Sequence, residues 1–392
     1  MKTIENINFH GERVIVRVDY NVPLDNNKIT DKTRIDASKE TINLILNRGG
    51  SVILITHIGR PNGYQKDLSC VLIVNAVSEV FEREIIFCRS IIGKEAEKMA
   101  KSLKPGQIML MENVRFYPEE VNGDIEFAKH LSKLGTAYVN DAFGSIHRAH
   151  ASTTIIAKFF SKKYCGKLLE REVNAIEKVI KNGKKPILAV IGGAKISTKI
   201  TIIQSLMNSV TDILVGGGMA YTFIKALGGS IGDSICEHDF CKYSIQILES
   251  AKQKNVRIHL PEDVIIADAF NNDANRKISK INKIPTGWQG LDFGPESLKI
   301  IKPIIINSKT ILWNGPLGVF EFDNFSKGTI ELGNLVAEAT SNGSFSLVGG
   351  GDSVLAVKKF GFKNKMSYVS TGGGAMLECL EGAVLPGIRA LR

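Results

Sequence analysis

The sequence predicts an α/β protein with two doubly wound, Rossmann-like parallel sheets that are joined by a helix and separated by a cleft. Short apolar, β-branched runs of strand length alternate with longer stretches whose apolar residues recur at helical spacing. Such strand–helix–strand repetition favours parallel strands that are covered by helices on both faces. A chain of 392 residues is also too long for one ordinary core, which predicts more than one domain.

The predicted strands fall into two series along the chain. The first series is Arg13–Val18, Ser51–Thr56, Gln107–Met111 and Ala137–Asn140. The second series is Ile187–Ile191, Asp212–Val215, Arg257–Leu260, Thr310–Trp313, Phe345–Val348 and Ser367–Ser370. Between them, residues 167–181 carry one apolar stripe at helical spacing, which the segment NGKKP at 182–186 ends. We therefore expect a helix that connects two α/β domains.

Composition and charge narrow the functional classes. The formal net charge of +10 suits either a well-solvated basic surface or an anionic partner such as phosphorylated metabolites. The chain has no run of five basic residues and no interleaving of basic and aromatic residues, so nucleic acid is not the expected partner. The start lacks the apolar stretch of a secretory signal, and no stretch has the roughly 18 apolar residues of a membrane span. We expect a cytoplasmic protein that does not bind membranes.

The six cysteines are scattered along the chain without a Cys-x-x-Cys pair. Cys236 and Cys241 are the closest two, and their spacing is compatible with a metal site, a redox pair or two unrelated thiols. The pattern is typical of a protein from a reducing compartment.

Glycine is concentrated directly after the strands of the second series. Ligands of open parallel sheets bind outside the carboxyl ends of the strands, so these segments are site candidates. They read GGAK at 192–195, GGGMA at 216–220, NGP at 314–316, GGGDS at 349–353 and TGGGA at 371–375. Glycine lets main-chain N–H groups approach a ligand, and a helix start favours phosphate. Any one segment could be a tight turn, but five in one domain predict a polyphosphate-binding surface.

The strand ends of the first series are rich in arginine and histidine instead. They read RVDYNVP at 17–23, THIGRP at 56–61, MENVRF at 111–116 and NDAFGSIHRAH at 140–150. Nine arginines lie before residue 150 and five after it. Because arginine binds carboxylate and phosphate with two parallel hydrogen bonds, this half is predicted to bind a small, highly charged anion.

The segment GGGDS also predicts a magnesium site. A carboxylate beside a phosphate-binding loop repels the phosphate unless a cation lies between them, and Mg²⁺ prefers one or two carboxylates plus phosphate oxygens. Asp352 is therefore a candidate magnesium ligand, and Ser353 a candidate helix N-cap and phosphate donor. The alternative is that both residues only cap a helix.

These motifs together resemble the phosphoglycerate kinase family, in family order over essentially the whole chain. The matching segments are VRVDYNVP (16–23), THIGRP, ENVRF, NDAFGSIHRAHAS (140–152), GGAKISTKI (192–200), GGGMAYTF (216–223), GLDFGPES (290–297), WNGPLGVFEF (313–322), GGGDS and STGGGA. The resemblance implies Mg²⁺-dependent phosphoryl transfer between 1,3-bisphosphoglycerate and ADP, which gives 3-phosphoglycerate and ATP, by a monomer. It also implies a phosphoglycerate-binding domain at 1–166, which the tail 378–392 joins, a connecting helix at 167–182 and a nucleotide-binding domain at 183–377.

The resemblance implies a role for each matching position. The phosphoglycerate site would comprise Asp19, Asn21, Arg34, His57, Arg60, Arg115 and Arg148. The catalytic groups would be Arg34, Lys195, Lys199, Gly373 and Gly374, the last two in the segment Gly372–Gly374 that opens a helix. The nucleotide would contact Lys199, Gly216, Gly217, Gly290, Asn314, Glu321, Gly350, Gly351, Asp352 and Ser353, with Asp352 as the metal ligand.

Some residues depart from the family pattern or allow other roles. Ser145 and Ile146 stand where Thr-Ala is common, Ser353 replaces a frequent threonine, and Met376 stands where serine is usual. His147 and His150 flank Arg148 and could ligate a metal, although no third ligand is evident, so the favoured interpretation is that they orient loop groups or contact a phosphate.

Three other functions remain open from the residues alone. The arginine-rich pocket could fit a different small acid in another acyl-phosphate kinase. The basic charge could serve a nucleic-acid or nucleotide-binding module without catalysis. A nicotinamide dehydrogenase is disfavoured because GxGxxG is absent, and GxxxxGK[ST] is absent too.

Overall fold

The computed structural model describes all residues 1–392. The chain forms two compact units, one of residues Met1–Val173 with Val384–Arg392 and one of residues Asn174–Ala383. A six-stranded parallel sheet lies in each unit, which confirms the predicted α/β class with two Rossmann-like sheets. The division between the units falls within helix Lys167–Ile180. None of the helices combines the length and the apolar character that crossing a membrane requires.

The first unit has its earliest strand in the middle of its sheet. In spatial order the strands are Ile85–Cys88, Ile108–Met111, Ser51–Ile55, Arg13–Arg17, Ala137–Asn140 and Lys163–Cys165. All neighbours pair in parallel, so every carboxyl end lies at the same edge. Helices flank the sheet at Thr33–Asp36, Lys39–Asn47, Val74–Phe81, Lys94–Ser102, Pro118–Asn122, Ile125–Ser132 and Pro386–Ala390.

The second unit repeats this arrangement. Its parallel strands are, in spatial order, Arg257–His259, Asp212–Val215, Ile187–Ile191, Thr310–Asn314, Phe345–Val348 and Tyr368–Val369. Its helices are Ile200–Leu206, Met219–Ala226, Cys241–Gln253, Pro295–Asn307, Lys327–Ser341, Gly351–Lys359 and Gly374–Leu380. The second unit also contains a separate antiparallel sheet. Its strands are, in spatial order, Arg276–Lys280, Asp263–Ala267 and Gln289–Phe293.

Short edge and accessory strands were not predicted. Lys163–Cys165 has only three residues at a sheet edge, and Leu24–Asp25 pairs with Lys28–Ile29 in a two-residue ladder. Arg276–Lys280 pairs on one side only and is largely exposed, so it lacks the apolar run that marks a buried strand. The central strands were predicted to within one or two residues because they are fully buried and almost entirely apolar.

A buried carboxylate stabilises the start of helix Lys167–Ile180. Asp141 follows strand Ala137–Asn140, is fully buried, and accepts a 3.1 Å hydrogen bond from the main-chain N–H of Leu169 in the first helical turn. Gly166 leaves room for the carboxylate, since a Cβ atom there would lie 2.2 Å from its oxygen. Burial raises the pKa of Asp141 to about 7, although hydrogen bonds to the carboxylate oppose this effect.

We predict that the stability of Asp141→Asn relative to wild type is greater at pH 8 than at pH 5. The raised pKa means that the native state binds a proton more tightly than the unfolded chain does, so wild-type stability falls as pH rises from about 4, near the unfolded pKa, to about 7, the native pKa. Asparagine keeps the acceptor but does not titrate, so between pH 5 and pH 8 the free energy of unfolding of the variant should gain about 3 kcal/mol on wild type, since each of about two pH units contributes about 1.4 kcal/mol. Urea unfolding at both pH values measures this gain, with exposed Asp25→Asn as the control. A constant difference between variant and wild type would refute the assignment.

Candidate functional site

Each parallel sheet reverses its strand order beside one central strand. Arg13–Arg17 lies between Ser51–Ile55 and Ala137–Asn140, so the connections leave it toward opposite sides. In the second unit Ile187–Ile191 has the same position, between Asp212–Val215 and Thr310–Asn314. Such switch points leave a crevice outside the carboxyl ends of the strands, where ligands of open sheets bind. The predicted site residues of each unit follow these strands.

In the site of the first unit, the carboxylate of Asp19 and the side-chain amide of Asn21 hold an arginine and a loop in place. Asp19 forms an ion pair of 2.7 Å with Arg34. Asn21 accepts a 2.8 Å hydrogen bond from the main-chain N–H of Gly59, which fixes the loop that continues to Arg60. Asp19 therefore neutralises one guanidinium group of the site, while Arg60 is exposed on the adjoining loop.

Arg17, a charged residue beneath the site, was not among the predicted site residues. Its side chain is fully buried, and Nε donates a 2.8 Å hydrogen bond to Ser152 Oγ. Ser152 Oγ in turn donates a 2.6 Å bond to the buried carboxylate of Glu120. Arg17 Nη2 lies 3.1 Å from His57 Nδ1. A charged residue that ends an otherwise apolar central strand was the signal in the sequence.

His57 is held as a neutral hydrogen-bonding group. It is 4% exposed, and burial, followed by the charges of Arg17 and Arg115, holds its pKa well below the usual 6.5. A guanidinium group can only donate, so Nδ1 accepts from Arg17 and Nε2 carries the ring hydrogen. His57 can therefore donate a hydrogen bond to an anion but holds no proton to transfer near pH 7.

Arg115 and Arg148 complete the basic cluster. Arg115 Nη1 donates a 2.7 Å bond to the carbonyl of Gly59, and Arg148 Nε donates a 3.2 Å bond to His147 Nε2. Burial, with the nearby charges of Arg17 and Arg148, lowers the pKa of Arg115 to about 10, so it remains cationic at pH 7. The structure thus brings Arg34, Arg115 and Arg148 near His57 and Arg17, and this excess of positive charge is the chemistry of an anion site.

The histidines of this cluster do not form a metal centre. No group of three or more histidine, cysteine, aspartate or glutamate side chains is placed to hold a metal ion. His150 is buried, and burial with the charges of Arg115 and Arg17 lowers its pKa to about 4. The metal-ligand interpretation of His147 and His150 is therefore wrong.

The second unit contains a cavity of about 610 Å³ at its switch point. Four predicted residues line it, namely Gly217, Gly290, Glu321 and Asp352. Gly216 instead packs below the cavity, where a Cβ atom would lie 2.6 Å from Leu317. The apolar walls were not predicted; they include Tyr221, Phe270, Leu317 and Phe322.

Two positions of this cavity must be glycine, because neighbouring atoms leave no room for a Cβ atom. Gly217 has a φ of +68°, and a Cβ atom there would lie 2.7 Å from the main-chain nitrogen of Gly193. A Cβ atom on Gly290 would lie 2.0 Å from the Tyr221 hydroxyl. A side chain at either position would force these neighbouring groups of the cavity to move.

A chain of hydrogen bonds joins Lys199, which precedes helix Ile200–Leu206, to the ends of two strands beside the cavity. Lys199 Nζ donates a 2.5 Å bond to Asn314 Oδ1, and Asn314 Nδ2 donates a 2.7 Å bond to the carbonyl of Gly349. Burial lowers the pKa of Lys199, against the charges of Asp352 and Glu381, which raise it. An ammonium group and the exposed carboxylate of Asp352 therefore lie close together at this edge.

Ser353 and the remaining glycines occupy helix starts. Helix Gly351–Lys359 begins after Gly350, which has a φ of +93°, and no side chain caps it. Ser353 Oγ is buried and accepts a 2.5 Å bond from the main-chain N–H of Gly315, so the helix-cap interpretation is wrong. Gly373, with a φ of +50°, precedes helix Gly374–Leu380, whose Met376 side chain packs against Gly349.

Glu237 is a second residue near the site that was not predicted from the sequence. Its carboxylate accepts bonds of 3.0 Å from the main-chain N–H and 2.6 Å from Oγ of Ser197. Ser197 is the middle residue of the 3₁₀ turn Ile196–Thr198, which separates exposed Lys195 from Lys199. Glu237 therefore holds the turn that carries both predicted catalytic lysines.

The fold and the two sites define a two-unit α/β protein, and comparisons with known proteins assign its family. The phosphoglycerate kinase family model matches residues 4–383. Phosphoglycerate kinase of Porphyromonas gingivalis is 47% identical over 416 aligned residues, which cover 100% of both chains. Cytosolic phosphoglycerate kinase 3 of Arabidopsis thaliana is 48% identical over 390 residues, covering 99% of this chain and 97% of the relative.

A solved structure agrees with these sequence relatives. The phosphoglycerate kinase of Coxiella burnetii superimposes with a TM-score of 0.92 at 39% identity, covering 99% of this chain and 98% of that one. The chain belongs to the phosphoglycerate kinase family, whose members are kinase enzymes.

We predict that Glu237→Ala lowers phosphoglycerate kinase turnover at least about tenfold. The loss of two accepted hydrogen bonds, each worth about 1 kcal/mol, frees the turn that places Lys195 and Lys199. Glu237→Gln keeps an acceptor for Ser197 and should retain most of the turnover. Steady-state rates and circular dichroism spectra of both variants make the comparison. If the alanine and glutamine variants lose activity equally, the charge and not the placement of the turn matters.

Proposed function

We propose that this enzyme catalyses the reversible, Mg²⁺-dependent transfer of a phosphoryl group from 1,3-bisphosphoglycerate to ADP in glycolysis. The products are 3-phosphoglycerate and ATP. The observation that carries the proposal is the pairing of a cationic cluster in one unit with a glycine-lined cavity in the other, in a chain of this family. Each unit then binds one substrate of the same reaction.

The acid substrate is assigned to the basic cluster of the first unit. Arg34, Arg60, Arg115 and Arg148 supply donors for its phosphate and carboxylate groups. His57 donates from Nε2, and Asn21 orders the loop that carries Arg60. Asp19 cannot attract an anion by charge, so we assign it to orienting Arg34, with which it is paired at 2.7 Å.

The nucleotide is assigned to the cavity of the second unit. Its base would lie against Gly217 and Gly290, with Gly216 supporting the wall from below. Asn314 and Glu321 would hold the phosphate chain and the ribose. The segment Gly350–Ser353 would contact the phosphates, with main-chain N–H groups at the start of helix Gly351–Lys359.

The magnesium ion is assigned to Asp352. Its exposed carboxylate lines the cavity in which the phosphates would lie, and Mg²⁺ prefers one carboxylate with phosphate oxygens. When bound, the ion neutralises charge on the phosphate oxygens. Lys199 and Lys195 act beside it by donating to the phosphoryl group that is transferred.

The chemistry requires charge neutralisation more than proton transfer. In the direction that consumes ATP, the acceptor is a carboxylate, which is already ionised at pH 7. No general base is needed, and the barrier lies in bringing this anion to a polyphosphate. Arg34, Lys195, Lys199 and the main-chain N–H groups of Gly373 and Gly374 would stabilise the transferring group in an in-line displacement.

We predict that Lys199→Ala and Arg34→Ala each lower the turnover number at least about a hundredfold. A lost donor to a transition-state oxygen costs about 2.7–4 kcal/mol in other enzymes. Steady-state kinetics measure the loss, and circular dichroism checks that the fold is intact. Exposed Lys98→Ala is the control for removing one positive charge. Near-normal turnover in either variant would remove that residue from the catalytic group.

Replacement of the proposed metal ligand should change the magnesium requirement. We expect Asp352→Asn to raise the Mg²⁺ concentration at half-maximal rate at least about tenfold, because the neutral amide is a weaker ligand. A titration of the rate with Mg²⁺ at fixed ATP gives this value. The matched control is exposed Asp239→Asn, which should leave the titration unchanged. An identical midpoint in the two variants would exclude Asp352 as a ligand.

Transfer also requires that substrates bound to separate units meet. We propose that the interdomain cleft closes when both substrates are bound, which would exclude water and suppress hydrolysis of ATP. Small-angle scattering should then show a smaller radius of gyration with both substrates than with either one. Curves that do not change would contradict closure.

One assay distinguishes the proposed function from the alternative functions. ATP, Mg²⁺ and 3-phosphoglycerate should give an acyl phosphate that a coupled reaction detects. Turnover only with a different small acid would favour another acyl-phosphate kinase. A binding module would give no turnover and an affinity for oligonucleotides that falls steeply with salt.

We propose a domain at 1–166 with 378–392, a connecting helix at 167–182 and a nucleotide domain at 183–377. We also propose a cytoplasmic monomer that binds small-molecule substrates and no nucleic acid. The Arabidopsis relative described above is a cytosolic enzyme.

A further inference from the structure

A second cavity lies at the carboxyl edge of the first sheet. Its volume is about 400 Å³, and residues that follow strands Ile85–Cys88 and Ile108–Met111 line it together with the segment 64–71. Ligands of parallel sheets bind at this edge. The proposed reaction uses the edge around Arg13–Arg17 and leaves this cavity without a role.

The walls of this cavity are aromatic. The rings of Tyr64 and Phe116 meet edge to face with centroids 5.0 Å apart. Phe116 is 9% exposed, whereas Tyr64 is 70% exposed and so offers its ring to a ligand. Phe87 and Tyr117 contribute further ring surface. Offset or edge-to-face contacts between rings favour a planar aromatic ligand.

The charged groups of the cavity indicate the polar parts of this ligand. Lys66 and Arg89 line the cavity, are exposed, and form no hydrogen bond or ion pair through their side chains. Glu112 also lines it, is 6% exposed, and accepts bonds of 2.7–2.8 Å from Ser69 Oγ and from the main-chain N–H groups of Cys70 and Asn113. Two free cations and one oriented acceptor therefore face the same space.

We propose that this cavity binds a single-ring aromatic acid that carries a hydroxyl group. The carboxylate of the ligand pairs with Lys66 and Arg89, and its ring packs against Tyr64 and Phe116. The hydroxyl donates to a free lone pair of Glu112, since a carboxylate accepts about four hydrogen bonds and three are in use.

The cavity shares hydrogen bonds with the loop of the acid-substrate site. Asn113 Nδ2 donates to the carbonyls of Ile58 and Leu68, at 2.8 and 2.9 Å. Ile58 lies between His57 and Gly59, whose carbonyl accepts from Arg115. A ligand that orders this loop should tighten the binding of 3-phosphoglycerate, an effect that rests on the proposed function, and the coupling must be reciprocal.

Ligand-observed NMR with 4-hydroxybenzoate tests the site in the full-length protein. Saturating 3-phosphoglycerate and ADP without Mg²⁺ keep both proposed substrate sites filled. We expect a Kd of about 0.1–1 mM, the range for a ligand of this size. The double variant Lys66→Ala/Arg89→Ala should raise this Kd at least tenfold, and Lys98→Ala should leave it unchanged. Phenol, which has the ring and the hydroxyl but no carboxylate, should bind at least tenfold more weakly.

Two results would overturn the site. One is binding that the double variant leaves unchanged, and the other is complete loss of binding when the substrate sites are filled. The coupling is read from the Kd of 3-phosphoglycerate, which should fall two- to tenfold with saturating 4-hydroxybenzoate; an unchanged Kd would overturn the coupling. Failure of the proposed function is separable, because 3-phosphoglycerate would then not bind even without the aromatic acid.

Discussion

The strand order of the two parallel sheets is the constraint on which both sites depend. Parallel pairing places every carboxyl end at one edge, and the reversal beside Arg13–Arg17 and Ile187–Ile191 opens a crevice there. Residues far apart in the chain therefore meet without long loops. Arg17 contacts Ser152 over 135 residues, and Lys199 contacts Asn314 over 115. A change in strand order would separate these groups even if every local element still formed.

Charge imposes the second constraint. The first site concentrates guanidinium groups with one direct carboxylate partner, Asp19, at its surface. Below the surface Arg17 reaches the buried carboxylate of Glu120 through the Ser152 hydroxyl. A buried charge is tolerated only when it is paired and hydrogen-bonded, and this relay meets that requirement. An anionic substrate would neutralise the excess positive charge that remains at the surface of the site.

Central strands and charged strand ends could be predicted from the sequence, whereas their partners could not. Strand Ile187–Ile191 is uniformly apolar and ends in glycine, so its place and its end are local properties. Gly217 was correctly predicted to line the cavity. Gly216 was also predicted to line it but does not, and it packs against the side chain of Leu317 instead. Ser353 reads as a helix cap in the sequence, yet its hydroxyl bonds Gly315, 38 residues away. Partners at such separations leave no periodic signal.

The sequence by itself determined the α/β class, the two series of strands, the family and the concentration of arginine and glycine in different halves. These properties follow from hydrophobic period and residue type, which are local. Only the tertiary structure decided that Arg17 orients His57 and that Glu237 holds the turn before Lys199. It also decided that Asp141 accepts a hydrogen bond from the first turn of helix Lys167–Ile180. The physical reason is that a hydrogen bond depends on the positions of both partners, and those positions exist only once the sheets have formed.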